Sequence, residues 1–187
     1  PYKTMDPGFE AEEVKVFGAM YQKGYIYKGL KPVYWCPHDE TALAEAEIEY
    51  QDDPCTTVYV KFPVKDDLGK LSQYGDVSKM FFLIWTTTIW TLPGNLAIAV
   101  HPRESYVLVK APNGEMYILA EALCAKVMKI GGFESYEIVK QFKGSDFEYM
   151  LAQHPFLPKT SQLCCAEYVT MDSGTGCVHT APGFGAD

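Results

Sequence analysis

The spacing of apolar residues changes once along the chain, from a helical repeat to an alternating one. Near the start, Val14, Phe17 and Tyr21 recur three or four positions apart, which predicts one amphipathic helix because residues at this spacing share a helix face. Asp6, followed by a proline, suits the N-cap of this helix, and Gly24 suits its end. The chain is therefore expected to open with a helix and then to change to strands.

After the helix, apolar residues alternate with polar ones in short runs that end at Pro, Asp or Gly, and each run predicts a β-strand. In the run from 58 to 64, one face is expected to meet the core and the other the solvent. The polar segment 66–79 predicts a surface loop, and segment 120–130 predicts a second helix. The predicted strands cover residues 31–35, 45–51, 55–64, 80–85, 96–101, 105–110, 115–119, 136–142 and 162–170, with a short apolar segment at 147–157.

Many short strands, two helices and no alternation of a strand with a crossover helix predict a β-rich α+β fold. The expected architecture is a closed or partly closed antiparallel β-barrel with peripheral helices. No interior linker interrupts the pattern, so residues 1–187 are predicted to form a single domain, in which residues 1–30 form the N-terminal helix and a connection. The chain begins without a methionine, and we interpret it as a piece of a longer protein.

The composition narrows the class of protein. With 187 residues, 48% of them hydrophobic, the chain can bury a core, and it lacks an apolar run of the roughly 18 residues that cross a membrane. We therefore expect no membrane role. The net charge of -8 argues against a protein that binds nucleic acid through phosphates alone. Terminal nucleotides could still bind here if the rest of a larger protein held the phosphate backbone.

The six cysteines stand at irregular spacing without a Cys-x-x-Cys pair. This pattern argues against a disulfide scaffold and against a zinc site, and it fits free thiols in a reducing cytoplasm. Cys36 and His38 could share a metal ion, but a single Cys-x-His pair lacks the further ligands of a structural zinc site. We expect no metal site.

A hydroxyl-rich run follows the most apolar predicted strand. Residues 85–95 hold two tryptophans, a Pro-Gly turn and four threonines, which are Thr86, Thr87, Thr88 and Thr91. Threonine hydroxyls both donate and accept hydrogen bonds, which suits the wall of a polar pocket. Threonine also favours strands and turns, so a purely structural role is the alternative.

A second candidate segment, residues 172–187, combines glycines and a proline with His179. Such residues let the backbone approach a ligand closely, although a tight turn with a hydrogen-bonded histidine is the alternative. Cys177 and His179 share a strand face, but no third group is evident that would orient them as a thiol hydrolase. The remaining histidines adjoin prolines in turn-like settings, where exposure is expected; they are His38, His101 and His154.

Together these two segments resemble the editing domain inserted in class I aminoacyl-tRNA synthetases for isoleucine, valine and leucine. Residues 85–95 look like the threonine-rich motif of that family, and residues 172–187 look like its Gly-Thr-Gly, His-x-Ala-Pro and Gly-x-Gly motif. Residues 31–35 and 41–50 resemble the segment that leads into this domain. The resemblance spans nearly the whole chain and implies the editing-domain fold. The family's His-Ile-Gly-His and Lys-Met-Ser-Lys-Ser signatures are absent from the sequence, so this chain is not expected to activate amino acids.

Within the family, the resemblance favours the isoleucine enzyme of bacterial type. Thr88-Ile89-Trp90-Thr91 matches its Thr-Pro-Trp-Thr pattern except at Ile89, whereas valine and leucine enzymes carry Arg-Pro-acid-Thr there. This implies hydrolytic editing of valyl-tRNA(Ile), with valyl-adenylate as a further candidate substrate. Two alternatives are open: the editing domain of a valine enzyme, which clears threonine, and a non-catalytic barrel that binds an RNA end or a protein.

The resemblance also assigns roles to residues of both motifs. Valine lacks one methylene of isoleucine, and the synthetic site of isoleucine enzymes is known to discriminate only modestly on that basis, so a second and smaller site removes the error. The hydroxyls implied to act in catalysis, by holding the terminal adenosine and the attacking water, are those of Thr86, Thr87 and Thr88. The residues implied to bind the substrate are Trp90, Thr91, Asn95, His179 and Asp187.

In the family, an aspartate just after the acidic residue matched by Asp187 captures the substrate ammonium group, so we expect weak or no hydrolysis from this chain alone. The implied partners are the aminoacylated 3' end of tRNA(Ile) and the catalytic domain of the parent synthetase, toward which residues 1–30 would lead. No cofactor is expected for this domain, whereas the parent enzyme would use ATP and Mg. The expected location is the cytoplasm.

Overall fold

The computed structural model describes residues 2–185, and the chain falls into two compact units, residues 1–53 and residues 54–187. Among the described residues, every buried side chain belongs to the second unit. The sequence predicted one domain, and the assignment of residues 1–187 to a single functional domain stays a prediction.

Helix α1 spans Pro7–Gln22, as the sequence predicts. The Asp6 carboxylate accepts a hydrogen bond from the backbone N–H of Gly8 at 2.9 Å and so caps the first turn. The predicted apolar stripe is exposed, since no residue of α1 is buried and Phe17 is 59% exposed. The helix is therefore confirmed, but its apolar side joins no core among the described residues. Nor is any helix in residues 2–185 long and apolar enough to span a membrane.

Strands β1 (Tyr34–Cys36) and β2 (Thr41–Leu43) pair antiparallel in a short hairpin. The strand predicted over 45–51 is wrong, because Glu45–Glu47 form a single turn of 3-10 helix. The carboxylate of the last residue in this turn accepts a hydrogen bond from the backbone N–H of Ala44 at 2.7 Å. This local contact stabilises the turn over an extended chain.

The described part of the second unit combines nine paired strands with helix α2, which spans Glu121–Ile130. The strands are β3 (Val58–Asp66), β4 (Met80–Thr86), β5 (Ala97–Val100), β6 (Ser105–Lys110), β7 (Met116–Ala120), β8 (Glu137–Lys143), β9 (Leu151–Gln153), β10 (Thr160–Cys165) and β11 (Cys177–Thr180). The predicted bounds of β6 are confirmed at both ends, and those of β4 to within one residue. The β-rich fold with few helices is therefore confirmed.

Hydrogen bonds link these strands in the order β11-β5-β10-β9-β3-β4-β7-β6-β8. The prediction of an antiparallel sheet is wrong for two pairs, because β5 runs parallel to β10 and β4 runs parallel to β7. The partners in both pairs are far apart in sequence, and parallel strands need such a crossover where antiparallel ones need only a hairpin. Closure into a barrel is not confirmed: within residues 2–185, the row of paired strands begins at β11 and ends at β8.

Aromatic side chains fill the centre of the core. Phe82 and Tyr106 each meet Phe147 edge to face, with ring centroids 5.5 and 5.8 Å apart. All three are fully buried, and each burial contributes about 2 kcal/mol to stability. The Tyr106 hydroxyl accepts from the backbone N–H of His101 at 2.9 Å and donates to the Gly176 carbonyl at 2.6 Å. This hydroxyl thereby joins the core to the segment that leads into β11.

Candidate functional site

The candidate site lies where the connection between β4 and β5 meets β11. Strand β11 pairs antiparallel with β5 and places His179 opposite Ile98. The backbone N–H of Leu96 donates to the Thr180 carbonyl at 3.0 Å, which holds the end of the connection against the same strand. The threonine-rich and glycine-rich segments, far apart in sequence, therefore meet at one place.

A cavity of about 500 Å³ opens between these two segments. Its lining comes from the end of β4 and the following connection, from β11, and from the chain on both sides of β11. The lining residues are Trp85, Thr86, Thr87, Thr88, Trp90, Thr91, Tyr168, Thr170, Ser173, Gly174, Thr175, Gly176, Cys177, Val178, His179, Thr180, Ala181, Phe184 and Gly185. The structure thus brings together six of the eight residues to which the sequence assigned a role: Thr86, Thr87, Thr88, Trp90, Thr91 and His179.

The three consecutive threonines differ in what their hydroxyls can do. Thr86 is buried at 8% exposure, and its Oγ1 accepts from the backbone N–H of Thr88 at 3.1 Å. The same Oγ1 lies 3.1 Å from Oγ1 of Thr88. The Thr86 hydroxyl therefore shapes the connection, as short polar side chains do in turns. Thr88 is exposed and Thr87 is half-buried, so their hydroxyls are more accessible from the cavity.

Thr91 joins the connection to β11 through its hydroxyl. Its Oγ1 donates to the Thr88 carbonyl at 2.7 Å and lies 3.0 Å from Nε2 of His179. Because the hydroxyl proton goes to the carbonyl, the oxygen accepts from the imidazole, which then carries a proton on Nε2. This contact fixes one edge of the imidazole against the threonine-rich segment.

Asn95 holds the other edge of the imidazole. Its Nδ2 donates to the Ala97 carbonyl at 2.9 Å and to Nδ1 of His179 at 2.8 Å. Turning the amide around would aim its oxygen at the Ala97 carbonyl oxygen, so the orientation follows from the hydrogen bonds. The sequence assigned Asn95 to substrate binding, but the structure places it behind His179 with 0% exposure. Its direct role here is to orient the imidazole.

The surroundings of His179 hold its imidazole neutral. Burial is the main cause that lowers its pKa, and Coulombic repulsion from His154 when it is protonated, and from Lys159, lowers the pKa further. With Nδ1 accepting from Asn95 and Nε2 carrying the proton, the neutral ring has no free lone pair in the ring plane for proton abstraction. His179 is thus suited to forming a rigid, polar wall of the cavity.

Two glycines before β11 let the chain pass close to its neighbours. Gly176 has a φ of +74°, and a Cβ placed there would lie 2.4 Å from Cβ of Ala120. Gly174 has a φ of +73°, and its Cβ would lie 3.2 Å from the Trp85 ring. Any other residue would be strained in backbone and crowded in space at these positions. The two glycines of the Gly-Thr-Gly sequence are therefore required by the path of the chain along the cavity.

Cys177 is poorly suited to act as a nucleophile. Its side chain is 2% exposed, and its Sγ lies 3.9 Å from the Ile118 carbonyl, toward the core. Burial raises the pKa of this thiol, which opposes formation of a nucleophilic thiolate. The structure therefore agrees with setting aside a thiol hydrolase built on Cys177 and His179.

The remaining predictions for polar residues have mixed outcomes. His38 is exposed, as expected, and His101 is half-buried. The expectation of exposure is wrong for His154, which is 2% exposed and lies 2.8 Å through Nε2 from the Leu92 carbonyl. The sequence signal that could have indicated this burial was the position of His154 inside the apolar segment 147–157. Within residues 2–185, no group of three or more potential metal ligands is found, and Asp187 lies outside the described residues.

Comparison with solved structures shows the fold. The crystal structure of GlLeuRS-CP1 matches with a TM-score of 0.59 and 20% identity, over 68% of this chain and 55% of that chain. The editing domain of the P. falciparum cytosolic leucyl-tRNA synthetase matches with a TM-score of 0.55 and 14% identity, over 67% of this chain and 60% of that one. The chain therefore has the fold of these editing domains.

Comparison of sequences shows the family. The isoleucine–tRNA ligase of Caldicellulosiruptor bescii is 55% identical over 189 residues, and that of Geobacillus thermodenitrificans is 55% identical over 187 residues. Each match covers 100% of this chain but 20% of the relative, so the chain spans about a fifth of the length of these ligases. The family model described as tRNA synthetases class I (I, L, M and V) matches residues 1–168. On this agreement, the chain belongs to the class I tRNA synthetases of the isoleucine, leucine, methionine and valine group.

Proposed function

We propose that this chain carries the editing site at which an isoleucine–tRNA ligase hydrolyses valine wrongly esterified to tRNA(Ile). The observation that carries the proposal is the hydroxyl-lined cavity of about 500 Å³, which Thr87 and Thr88 line together with a neutral His179 held by two hydrogen bonds. The cavity combines polar groups that can order a water molecule with a fixed wall that can limit the size of a side chain.

The reaction needs a positioned water molecule and stabilisation of an oxyanion. Water attacks the carbonyl carbon of the ester, a new C–O bond forms, and the bond to the ribose oxygen breaks as that oxygen takes a proton. The products are free valine and uncharged tRNA, with no covalent enzyme intermediate. The hydroxyls of Thr87 and Thr88 can accept from the attacking water and donate to the developing oxyanion. Thr86 serves by holding the backbone of Thr88 in place.

A rigid cavity wall would select against isoleucine by limiting the size of the side chain that fits. His179 is fixed on both edges, by Thr91 and by Asn95, and Trp90 lies on the same cavity. A side chain larger by one methylene would have to displace a hydrogen-bonded ring. Valine would fit, and isoleucine would be excluded by its size, which supplies the second sieve that isoleucine enzymes are known to require.

The implied partners agree with the charge of the chain. A net charge of -8 does not favour binding along a phosphate backbone, so the chain would receive only the aminoacylated end of tRNA(Ile). The catalytic domain and the rest of the ligase, which account for about four-fifths of the relatives' length, would hold the remaining tRNA. As the resemblance implies, this hydrolysis would take place in the cytoplasm, need no cofactor at the editing site and extend to valyl-adenylate as a second substrate.

The test is deacylation by the full-length ligase that contains this chain, with valyl-tRNA(Ile), isoleucyl-tRNA(Ile) and threonyl-tRNA(Val) as substrates. We expect hydrolysis of the valyl ester to be much faster than that of the isoleucyl ester. Thr88→Val should lower the rate by about 100-fold because it removes a donor at the reacting centre, whereas Thr88→Ser should retain activity.

Each alternative predicts a different result in this experiment. Preferred hydrolysis of the threonyl ester would instead indicate the editing function of a valine enzyme. No hydrolysis above the rate without protein, together with retained binding of the tRNA end, would indicate a non-catalytic binding domain, for which the negative charge of the chain is the supporting observation.

A further inference from the structure

We infer that His154 and Lys159 are positioning residues that set the shape of the editing cavity from behind its wall. They do so by holding two consecutive backbone carbonyls, those of Leu92 and Pro93, in the connection that carries Trp90. The inference rests on the proposed function for its effect on hydrolysis, but the contact itself can be tested without it.

His154 acts as a buried donor with a fixed tautomer. Its Nδ1 accepts from the backbone N–H groups of Phe156 at 3.3 Å and Leu157 at 3.1 Å. The proton of the neutral ring is then on Nε2, which donates to the Leu92 carbonyl at 2.8 Å. The ring also meets Phe62 of the core with centroids 5.8 Å apart. His154 therefore connects the core and its own loop to one carbonyl of the threonine-rich connection.

Lys159 makes the second contact from the other end of the same loop. Its Nζ donates to the Pro93 carbonyl at 2.5 Å. The loop between β9 and β10 is braced internally, because Nε2 of Gln153 donates to the carbonyls of Leu157 at 3.0 Å and Lys159 at 2.9 Å. The backbone N–H of His154 also donates to the Lys159 carbonyl, at 2.9 Å. Two donors thus project from one rigid loop onto neighbouring carbonyls.

The carbonyl of Leu92 is linked through Asn95 to the histidine in the cavity wall. It also accepts from the backbone N–H of Asn95 at 2.9 Å. The side chain of Asn95 in turn donates to Nδ1 of His179, whose Nε2 contacts Thr91. A shift of the Leu92 carbonyl would therefore move the group that orients His179 and, through it, the wall that meets the substrate side chain.

A merely structural role is the competing explanation, since a buried histidine edge-on to Phe62 also contributes to packing. Two variants that each replace only one ring nitrogen of His154 help to distinguish the two explanations. In His154→Gln, the side-chain amide nitrogen can reach the position of Nε2 and keep the donor to Leu92. In His154→Asn, the side-chain oxygen can replace Nδ1 as the acceptor for the loop, but no group reaches the Leu92 carbonyl. Loss of packing alone would also favour Gln over the smaller Asn, but it would speed exchange in the core strands as well as in the connection, so a difference confined to the connection is the distinguishing result.

The experiment uses the full-length ligase and two measurements. The first is hydrogen exchange followed by mass spectrometry in a peptide that covers residues 88–96, with peptides from β6 and β7 as the internal reference. We expect about tenfold faster exchange in His154→Asn than in His154→Gln, because the loss of a buried hydrogen bond changes local stability by that order. Lys159→Met and Lys159→Arg form a second matched pair, with faster exchange expected in Lys159→Met.

The second measurement is the kcat for deacylation of valyl-tRNA(Ile) and its ratio to that for isoleucyl-tRNA(Ile). We expect both to fall about tenfold in His154→Asn, with KM little changed, and both to stay near the parent values in His154→Gln. Equal exchange in the two His154 variants would overturn the inference, as would equal loss of kcat in both. If the parent protein hydrolyses neither ester, the proposed function fails, and the exchange measurement still decides whether His154 holds the connection.

Discussion

The side-chain nitrogen of Asn95 lies 2.8 Å from Nδ1 of His179, and this contact determines which ring nitrogen carries the proton. An amide N–H can only donate, so Nδ1 must accept. The proton is left on Nε2, where it meets the hydroxyl oxygen of Thr91 at 3.0 Å. Asn95, which lies behind His179, thus determines which ring nitrogen of this cavity-wall residue carries the proton.

The first prediction concerns Asn95→Ala. Loss of the amide removes the donor to Nδ1 and also leaves the Ala97 carbonyl without this partner. We expect the ring of His179 to change from a single Nε2–H tautomer to a mixture, and the protein to lose about 1–3 kcal/mol of stability. NMR of the histidine ring nitrogens in the parent and the variant measures the tautomer, and chemical denaturation measures the stability. An unchanged single tautomer in Asn95→Ala would show that Asn95 does not determine it.

The second prediction concerns pH. Burial, followed by Coulombic repulsion from His154 when it is protonated and from Lys159, lowers the pKa of His179 in the folded protein. As the pH falls below the ordinary histidine pKa of about 6.5, the unfolded chain binds the proton more readily than the folded one. The contribution of His179 to stability is therefore present above that pH and is lost as the pH falls toward the lower pKa of the folded state.

The variant His179→Gln tests this pH dependence, because the glutamine amide keeps a donor near Nε2 and does not titrate. We expect the free energy of unfolding, measured between about pH 7 and pH 5, to fall less steeply in the variant than in the parent. Both proteins share all carboxylates, so the difference in slope reports His179. Equal slopes in the two proteins would mean that its pKa is the same folded and unfolded.

The third prediction concerns Gly176. A methyl group there would lie 2.4 Å from Cβ of Ala120, at a backbone φ of +74°. We expect Gly176→Ala to destabilise the protein by about 2–4 kcal/mol, from strain and overpacking together. Gly114→Ala is the matched control, since its φ is +82° but nothing lies within 4 Å of the added carbon, and it should cost only about 1 kcal/mol.

Adding Ala120→Gly to Gly176→Ala separates strain from crowding, because it removes the methyl group that the new side chain would meet. We expect the double variant to recover the part of the loss that exceeds the Gly114→Ala control. A loss in Gly176→Ala no larger than in the control would show that the chain shifts away from Ala120 at little cost. The measurement is the midpoint of thermal or chemical unfolding.

The sequence predicted most elements that depend on local pattern. Strand β6 and helix α1 follow from the spacing of their apolar residues, and the structure confirms both. The strand expected at 45–51 fails because one local hydrogen bond, from the N–H of Ala44 to a carboxylate, outweighs the alternation. The parallel pairing of β4 with β7 could not be predicted from strand propensity, because it depends on the long crossover between them.

For the candidate site, the residues were predictable but their connections were not. Motif resemblance selected Thr91 and His179, and the structure places them 3.0 Å apart. It also selected Asn95, but only the fold shows that this side chain faces the imidazole from behind. His154 was expected to be exposed, because a histidine next to a proline gives no local sign of the carbonyl at 2.8 Å that it meets across 62 positions of sequence.

The last prediction concerns the hydroxyl of Thr91, which is buried at 8% exposure. Thr91→Val keeps the shape of the side chain but leaves the Thr88 carbonyl and the Nε2–H of His179 without this partner. We expect it to lose about 1–3 kcal/mol of stability and at least tenfold in deacylation of valyl-tRNA(Ile). Thr91→Ser keeps the hydroxyl and should stay near the parent in both measurements. If Thr91→Val hydrolyses the ester as fast as Thr91→Ser, the fixed orientation of His179 is not needed for editing, and the cavity selects its substrate through the Trp90 side instead.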